Sequence, residues 1–367
     1  MKIIRKQLYN LEWNYPFEQV CPAGKAVFMD IETTGFVARS SRVYLIGCIV
    51  REENCFTAYQ WFSENNEDEV NILRSFADFV KDDAFIVHFN GNHFDIPYLD
   101  EKFVQYGIDC CLSRHDGLDL YRRIAPYKSF LKLPNCKQKT IETYLGILRR
   151  DVLAGDELIG VYLHYVSEPN EYDRDLLLLH NLEDIEGLVQ ILPILAYVDL
   201  FNRPFTVTKV QANYYNDFSG SPDQELVMKI KLDTPLPIQV TEQANRCLFT
   251  GLDTSCTIKV PIYSGELKYF YSNYKEYYYL PEEDVALHKA VATYVDPAHR
   301  VPATAATCYT RKCSEYLPEW SPVLEPFFKK EYNSRESYFE LTEEIKQDRE
   351  LFTRYAEHIL QMIINSI

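Results

Sequence analysis

Val27-Phe28-Met29-Asp30-Ile31-Glu32-Thr33-Thr34-Gly35 is the stretch on which the fold turns. An apolar run ends in a carboxylate, one apolar residue follows, and a second carboxylate comes after it. On a β-strand, alternate side chains share a face. Asp30 and Glu32 then point the same way, with Phe28 deeper on their side and Ile31 on the other. Two like charges about 7 Å apart along one strand repel. A hard divalent cation held by oxygen ligands compensates them well. Gly35 then lets the chain turn off the strand. The plainer reading is a strand end with two solvated acids, and the stretch alone leaves both open.

The 367 residues suffice for two or three domains with substantial cores. Hydrophobic residues make up 47% and charged residues 25%, an ordinary balance for a soluble globular chain. No apolar run approaches the roughly 20 residues of a membrane span. The basic start Met1-Lys2-Ile3-Ile4-Arg5-Lys6 has no apolar signal-peptide core behind it. The expectation is a cytoplasmic protein with no membrane partner. The ten cysteines are scattered, and Cys110-Cys111 suits neither an ordinary disulfide nor a zinc knuckle. Cys308 and Cys313 are wrongly spaced for a zinc ribbon, so most of the cysteines read as reduced core residues. Net charge is −16, from 21 Lys+Arg against 31 Asp+Glu in residues 1–204 and 17 against 23 in the remainder. Neither half is a basic module, so nucleic acid would have to bind at a local patch or through metal ions.

Residues 1–25, with Trp13, Tyr15, Pro16 and Pro22, read as an irregular lead-in holding one or two short elements. Residues 26–31, 43–51 and 58–62 read as strands, with Asn54 in a turn between the last two. Residues 67–81 place Val70, Leu73, Phe76, Ala77 and Val80 at helical spacing. Ala84–Phe89 is a buried strand that runs into Asn90-Gly91-Asn92 and a helix over 97–106. Three strands, a helix, a strand and a helix predict an α/β sheet whose antiparallel portion comes first. Residues 118–124, 140–145, 156–165 and 173–195 carry helical spacing, and Phe201–Pro204 marks a boundary. Beyond it, short strands are expected at 206–215, 225–232, 238–241, 246–250, 254–262, 266–271 and 304–310. Helices are expected at 284–294 and 340–364.

Two further acids follow the first motif. Asp95 lies in Phe89-Asn90-Gly91-Asn92-His93-Phe94-Asp95, just after the buried strand, and Asp184 lies in His180-Asn181-Leu182-Glu183-Asp184 on a helix. Spacing of four puts His180 and Asp184 on one helix face. Singly, Asp95 reads as the N-cap of the helix that opens near Pro97, and His180 as a core histidine. Glu183 and Glu186 read as the polar face of the same helix, and His88 as core.

In order, strand Asp-x-Glu, Asn-Gly-x-x-Phe-Asp and helical His-x-x-x-Asp resemble the DEDD exonucleases of the ribonuclease H-like superfamily, with the YprB-type group nearest. Asp116-Gly-Leu-Asp119-Leu-Tyr121-Arg122-Arg123, Lys139-Thr-Ile-Glu142-Thr-Tyr144-Leu145-Gly146 and Gly155-Asp156-Glu157 are similar to that group's linker helices. The likeness covers residues 26–197. His180 stands at the shorter spacing that the family pairs with tyrosine. The resemblance implies a ribonuclease H-like mixed sheet with flanking helices over 26–204, while the short strands and helices expected beyond it read as an α+β accessory domain over 205–367. It implies a metal-dependent 3′→5′ exonuclease acting on single-stranded DNA or RNA ends.

The chemistry agrees. Phosphodiester hydrolysis by two Mg²⁺ or Mn²⁺ ions needs three or four oxygen-donating carboxylates. Asp30 would bridge both ions, Glu32 and Asp184 would complete one site, Asp95 would hold the other through water, and His180 would orient or deprotonate the attacking water. Neutralising Asp30 or Asp184 should relieve repulsion, so stability without metal should hold or rise. Lys137 and Lys139 lie where the family's linker approaches substrate, and Arg39 and Arg42 are candidates for phosphate contact or plain surface loop. In the second half, Lys268–Tyr279 interleaves aromatics with lysines, and Tyr271 and Tyr274 read either as base-stacking platforms or as packing of a small β-rich core. The alternative function is a nucleic-acid-binding or scaffold protein on the same fold with little or no catalysis.

Overall fold

A computed structural model describes residues 1–12, 14–21, 25–52, 55–80, 83–151, 153, 155–216 and 220–367, without the side chains of Lys25, Gly155 and Asp156. Trp13, Pro22, the expected turn at Asn54 and the helix end at Lys81 lie outside the described residues. The chain divides into two compact units, Met1–Asp199 and Leu200–Ile367.

The first unit is built from β1 (Lys2–Leu8), β2 (Lys25–Thr33), β3 (Val43–Glu52), β4 (Cys55–Phe62), α1 (Glu69–Phe79), β5 (Ala84–His88), α2 (Asp95–Tyr106), β6 (Gly117–Asp119), α3 (Leu120–Ile124), α4 (Gln138–Tyr144), α5 (Gly155–Ser167) and α6 (Glu171–Gln190), with α7 (Leu195–Asn202) following. Its six-stranded sheet has the order β1-β4-β3-β2-β5-β6. Pairing is antiparallel from β1 to β2 and parallel through β5 and β6. The central strands read as continuous apolar runs because both faces are covered. Val27, Met29 and Ile31 pack with Ile72, Leu73 and Phe76 of α1 and Leu99 and Phe103 of α2. Tyr44, Leu45 and Phe62 pack with Leu158 and Tyr162 of α5 and Leu177 of α6.

Two elements of this unit differ from the sequence expectation. The lead-in contributes a seven-residue edge strand, β1, paired with β4 from Lys2–Phe62 to Leu8–Phe56. Only Leu8 of that strand is buried, so it has no alternating apolar face to read and is held by its main-chain ladder. Residues 118 and 119 leave the expected helix and, with Gly117, pair with β5, and the helix starts at Leu120, where the Asp119 carboxylate accepts the Arg122 N–H. Three residues are too few to carry a period.

The second unit is strand-rich. It comprises β7 (Thr206–Asn216), β8 (Pro222–Ala244), β9 (Cys247–Pro261), β10 (Tyr263–Phe270), β11 (Tyr277–Leu280), β12 (Val285–His288), α8 (Lys289–Ala292), β13 (Val301–Pro302), β14 (Tyr309–Glu319), β15 (Phe327–Phe328), β16 (Ser337–Glu340) and α9 (Arg349–Ser366). Its sheets run β7-β8-β9, β10-β14-β16-β15 and β12-β11-β13, and α9 packs on the first of them. The short strands expected at 225–232 and 238–241 are one long strand. Pro235 and Pro237 break its ladder into register shifts rather than ending it. Asn245 and Arg246, both at positive φ, form the two-residue hairpin turn to β9. The helix expected at 284–294 is divided between β12, captured by pairing with the tyrosine-rich β11, and the four residues of α8. Residues 304–307 form a turn closed by Thr304 and Thr307, so β14 starts at Tyr309. The last helix starts only at Arg349, where the Asp348 carboxylate accepts the Leu351 N–H, because residues 337–340 are claimed by β16.

Candidate metal centre

Asp30 and Glu32 leave the C-terminal part of β2 on the face covered by α6, where Asn181 and His180 meet them. Asp30 lies opposite Gly47 of β3, and Gly47 lies opposite Gln60 of β4. Asn181 sits over this row. Its amide donates to Asp30 Oδ2 at 3.3 Å, and its oxygen accepts from Gln60 Nε2 at 3.0 Å. A Cβ at position 47 would stand 2.0 Å from Asn181 Oδ1, so glycine is what lets α6 come this close. Gly35 is not at positive φ. Its hydrogen instead faces Ser41, whose Cβ would lie 3.2 Å from an added methyl, so close approach rather than turning freedom accounts for it.

Asp95 is in the first turn of α2 and not its N-cap, which is Phe94. Its Oδ1 accepts the N–H of Ile31, the residue between the two β2 acids, at 3.3 Å. On α6, His180 Nε2 lies 3.1 Å from Asp184 Oδ2 and 3.7 Å from Glu32 Oε1. Ligand atoms of Glu32, His180 and Asp184 all fall within 4.8 Å of one another. The structure therefore brings together Asp30, Glu32, Asp95, His180 and Asp184 at one end of the sheet.

The electrostatics divide the acids into two groups. Burial pushes Glu32 up to about 8, with Asp184 and Asp95 adding to it and His180 opposing. Asp95 is pushed up to about 7 by burial, against the N–H groups of its own residue and Ile31. Asp30 is held well above the usual carboxylate range by burial and by Asp184, Asp95 and Glu32. Asp184 goes the other way. Burial opposes its charge, but His180 and Arg149 outweigh it. Arg149 Nη1 lies 2.6 Å from Asp184 Oδ1, and its other nitrogens grip the buried Glu142. His180 is raised, since Asp184, Glu32 and Asp151 overcome burial.

Three acids whose protonated forms are favoured mark a shortage of positive charge around a donor set made mainly of carboxylate oxygens. Such a set fits hard divalent cations. The relief expected from neutralising either Asp30 or Asp184 thus applies to Asp30 alone, because Asp184 already has a guanidinium partner. Nearby, the buried Asp119 Oδ2 makes no hydrogen bond.

Sequence reasoning missed Arg149, Glu142, Asn181 and Asp151. Gln138 ties the linker to α6, with Nε2 2.9 Å from Glu142 Oε1 and 2.8 Å from the Asp184 carbonyl. A Cβ at Gly187 would lie 2.2 Å from Glu142 Oε1, so this packing requires glycine on α6. Glu183, expected on a polar face, is buried and accepts the N–H groups of Arg150 and Asp151. Lys137 is exposed at the N-cap of α4. Lys139 donates to Asp151 and to the Leu153 carbonyl, both at 3.1 Å. Arg39 pairs with Glu101, and Arg42 donates to the Asn66 carbonyl. His88 is buried, as expected, and its Nδ1 accepts the Gly91 N–H. Tyr271 stacks on Tyr277 with ring centroids 5.1 Å apart, and Tyr274 opens a short 3-10 turn. All ten cysteines are free, and only Cys48, Cys247, Cys256 and Cys308 are buried, fewer than expected. Among the described residues, no helix is long and apolar enough to cross a membrane.

Residues 27–196 match the family model described as the RNase_H superfamily. The expectation of a ribonuclease H-like mixed sheet with flanking helices, followed by a strand-rich region, holds. The chain is similar to solved structures of exonuclease I. One matches at 13% identity and a TM-score of 0.34, covering 57% of this chain and 55% of that one. The zinc-bound form of the E. coli exonuclease I complex with single-stranded DNA matches at 14% identity and a TM-score of 0.29, covering 57% and 54%. E. coli exonuclease I with a dT13 oligonucleotide matches at 13% and 0.29, covering 57% and 55%. The chain thus spans a little over half the length of these solved structures. A comparison with curated proteins returned no match.

Proposed function

We propose that this chain is a metal-dependent nuclease, and in finer terms a 3′→5′ exonuclease acting on single-stranded DNA or RNA ends with two Mg²⁺ or Mn²⁺ ions. The observation that carries the reading is the meeting of Asp30, Glu32, Asp95 and Asp184 at one end of the sheet, Glu32 and Asp184 facing His180 Nε2, with burial and mutual repulsion pushing Asp30, Glu32 and Asp95 towards their protonated forms. Polarity and end preference follow from the family resemblance. Bound ions would supply charge neutralisation at phosphate and a more acidic water. Asp30, Glu32 and Asp184 would hold them directly, and Asp95 through water.

The chain's own groups do the rest. Asn181 fixes the Asp30 carboxylate, and Arg149 turns Asp184 so that Oδ2 faces the centre. His180 Nε2 takes a proton from the attacking water as its oxygen bonds to phosphorus. The P–O3′ bond then breaks, and solvent protonates the leaving oxygen. Phe36, 87% exposed and edge-on to Phe94, follows the first motif and offers a face on which a terminal base can stack. Lys137, with Tyr271 and Tyr274 in the second unit, would add contacts to the strand.

End-labelled single-stranded DNA and RNA, incubated side by side with Mn²⁺, test the proposal. Stepwise release of mononucleotides, stopped by chelation and abolished by Asp30→Asn with an unchanged thermal transition, is the expected result. Intact substrate together with no calorimetric Mn²⁺ binding would overturn it in favour of a nucleic-acid-binding scaffold.

A further inference from the structure

Besides the acids, His180 has a partner that the proposed chemistry does not use. Asp151 precedes α5 in the chain, and its side chain is only 4% exposed. Its Oδ2 lies 2.7 Å from His180 Nδ1 and 3.1 Å from Lys139 Nζ, while Oδ1 accepts the Leu153 N–H at 3.0 Å. The turn that carries Asp151 is bolted to the helix that carries His180. Glu183, three residues after His180, accepts the N–H of Arg150 at 3.0 Å and of Asp151 at 2.9 Å. Both ends of the Asp151–His180 bond are therefore anchored to α6. The opposite ring nitrogen, Nε2, points at Glu32 and Asp184.

We propose that Asp151 is a positioning residue for His180, holding the ring through Nδ1 so that Nε2 is presented to the carboxylate cluster, with Lys139 closing the chain Lys139–Asp151–His180. This rests on the reading that His180 acts on the attacking water. An ionised carboxylate only accepts, so the hydrogen between Asp151 and the ring sits on Nδ1. In the neutral ring the lone pair is then on Nε2, the nitrogen that must receive a proton. Had Nδ1 instead accepted a backbone N–H, as in His88, the neutral ring would carry its hydrogen on Nε2 and could not serve as a base there. The geometry also gives the half-exposed Lys139 an intramolecular partner, in place of the substrate contact expected from its position in the linker.

Two measurements on the full chain decide the matter. The first is proton NMR of the metal-free protein labelled with ¹⁵N-histidine. A downfield, hydrogen-bonded Nδ1 proton is expected, assigned to His180 by its absence in His180→Gln and moved upfield or lost in Asp151→Asn. The second is single-turnover cleavage with saturating Mg²⁺ for wild type, Asp151→Asn, His180→Ala and the double variant. Asp151→Asn should lower the rate about 10–100-fold, the usual cost of losing a partner that orients a functional histidine, with substrate affinity unchanged. In the His180→Ala background it should cost nothing further, because a residue acting only through His180 has nothing left to act on. A full additive loss in the double variant, or a normal rate in Asp151→Asn, overturns the proposal. If Asp151→Asn does not fold, the wild-type spectrum decides, and absence of the His180 proton refutes the arrangement. If the wild type cleaves nothing, the nuclease reading falls while the spectrum still tests the Asp151–His180 bond.

Discussion

Removing one negative charge from the cluster should make the metal-free protein more stable, and Glu32→Gln is the cleanest case. Glu32 has an ordinary value of 4.5 and is pushed up to about 8 in the folded chain, with its side chain 13% exposed. Its folded value lies above its unfolded value. Its contribution to stability is therefore fully present below about 4.5 and is lost as pH rises from there towards about 8. At pH 7 the unfolded chain has gained about 2.5 pH units of ionisation that the folded chain largely forgoes. At 1.36 kcal/mol per unit, this amounts to about 3 kcal/mol. Glutamine keeps the shape without that cost but gives up the attraction to His180, so a net gain of about 2–3 kcal/mol is expected. For a unit of this size, that corresponds to a rise of roughly 5–10 °C in thermal midpoint. The assay is calorimetry of both proteins in chelator at pH 7 and at pH 4.5, then with saturating Mn²⁺. The variant should melt higher at pH 7, converge with wild type at pH 4.5, and gain less from Mn²⁺. A variant no more stable than wild type at pH 7 without metal would refute the view that these carboxylates are held against their own repulsion.

Asp184→Asn should behave in the opposite sense, losing about 1–3 kcal/mol without metal, because it strips a buried arginine and His180 of their shared acid. A higher midpoint in chelator would show that Arg149 is satisfied by Glu142 alone. In the second unit, replacing Tyr271 and Tyr274 together with alanine should weaken single-strand binding about tenfold or more while slowing single-turnover cleavage less, as expected for lost stacking. Unchanged affinity in a folded variant would leave the stack of Tyr271 on Tyr277 as internal packing only.

The acids of the centre were legible in the sequence because each sits where local geometry dictates direction. Alternation along β2 put Asp30 and Glu32 on one face, and four-residue spacing on α6 put His180 under Asp184, whatever the rest of the chain did. The buried central strands were equally plain, since β3 and β4 are nearly unbroken apolar runs. Elements that depend on a partner were not. β1 shows no apolar face, β6 is three residues long, and β12 looks helical until β11 claims it.

The same holds for the residues that tune the site. Arg149, Glu142, Asn181 and Asp151 were not legible, because the roles of the first two and of Asp151 exist only once the linker folds back over α6, and that of Asn181 only once α6 docks on β2 and β4. There the low polarity of a packed interior makes each unpaired charge costly and so dictates its partner. Lys139 is the clearest instance. In the chain it is one more linker lysine, and the fold sets its half-exposed ammonium against the carboxylate that grips His180. Local spacing determined which acids stand together, and tertiary packing decided which of them are neutralised, by what, and which nitrogen of His180 faces them.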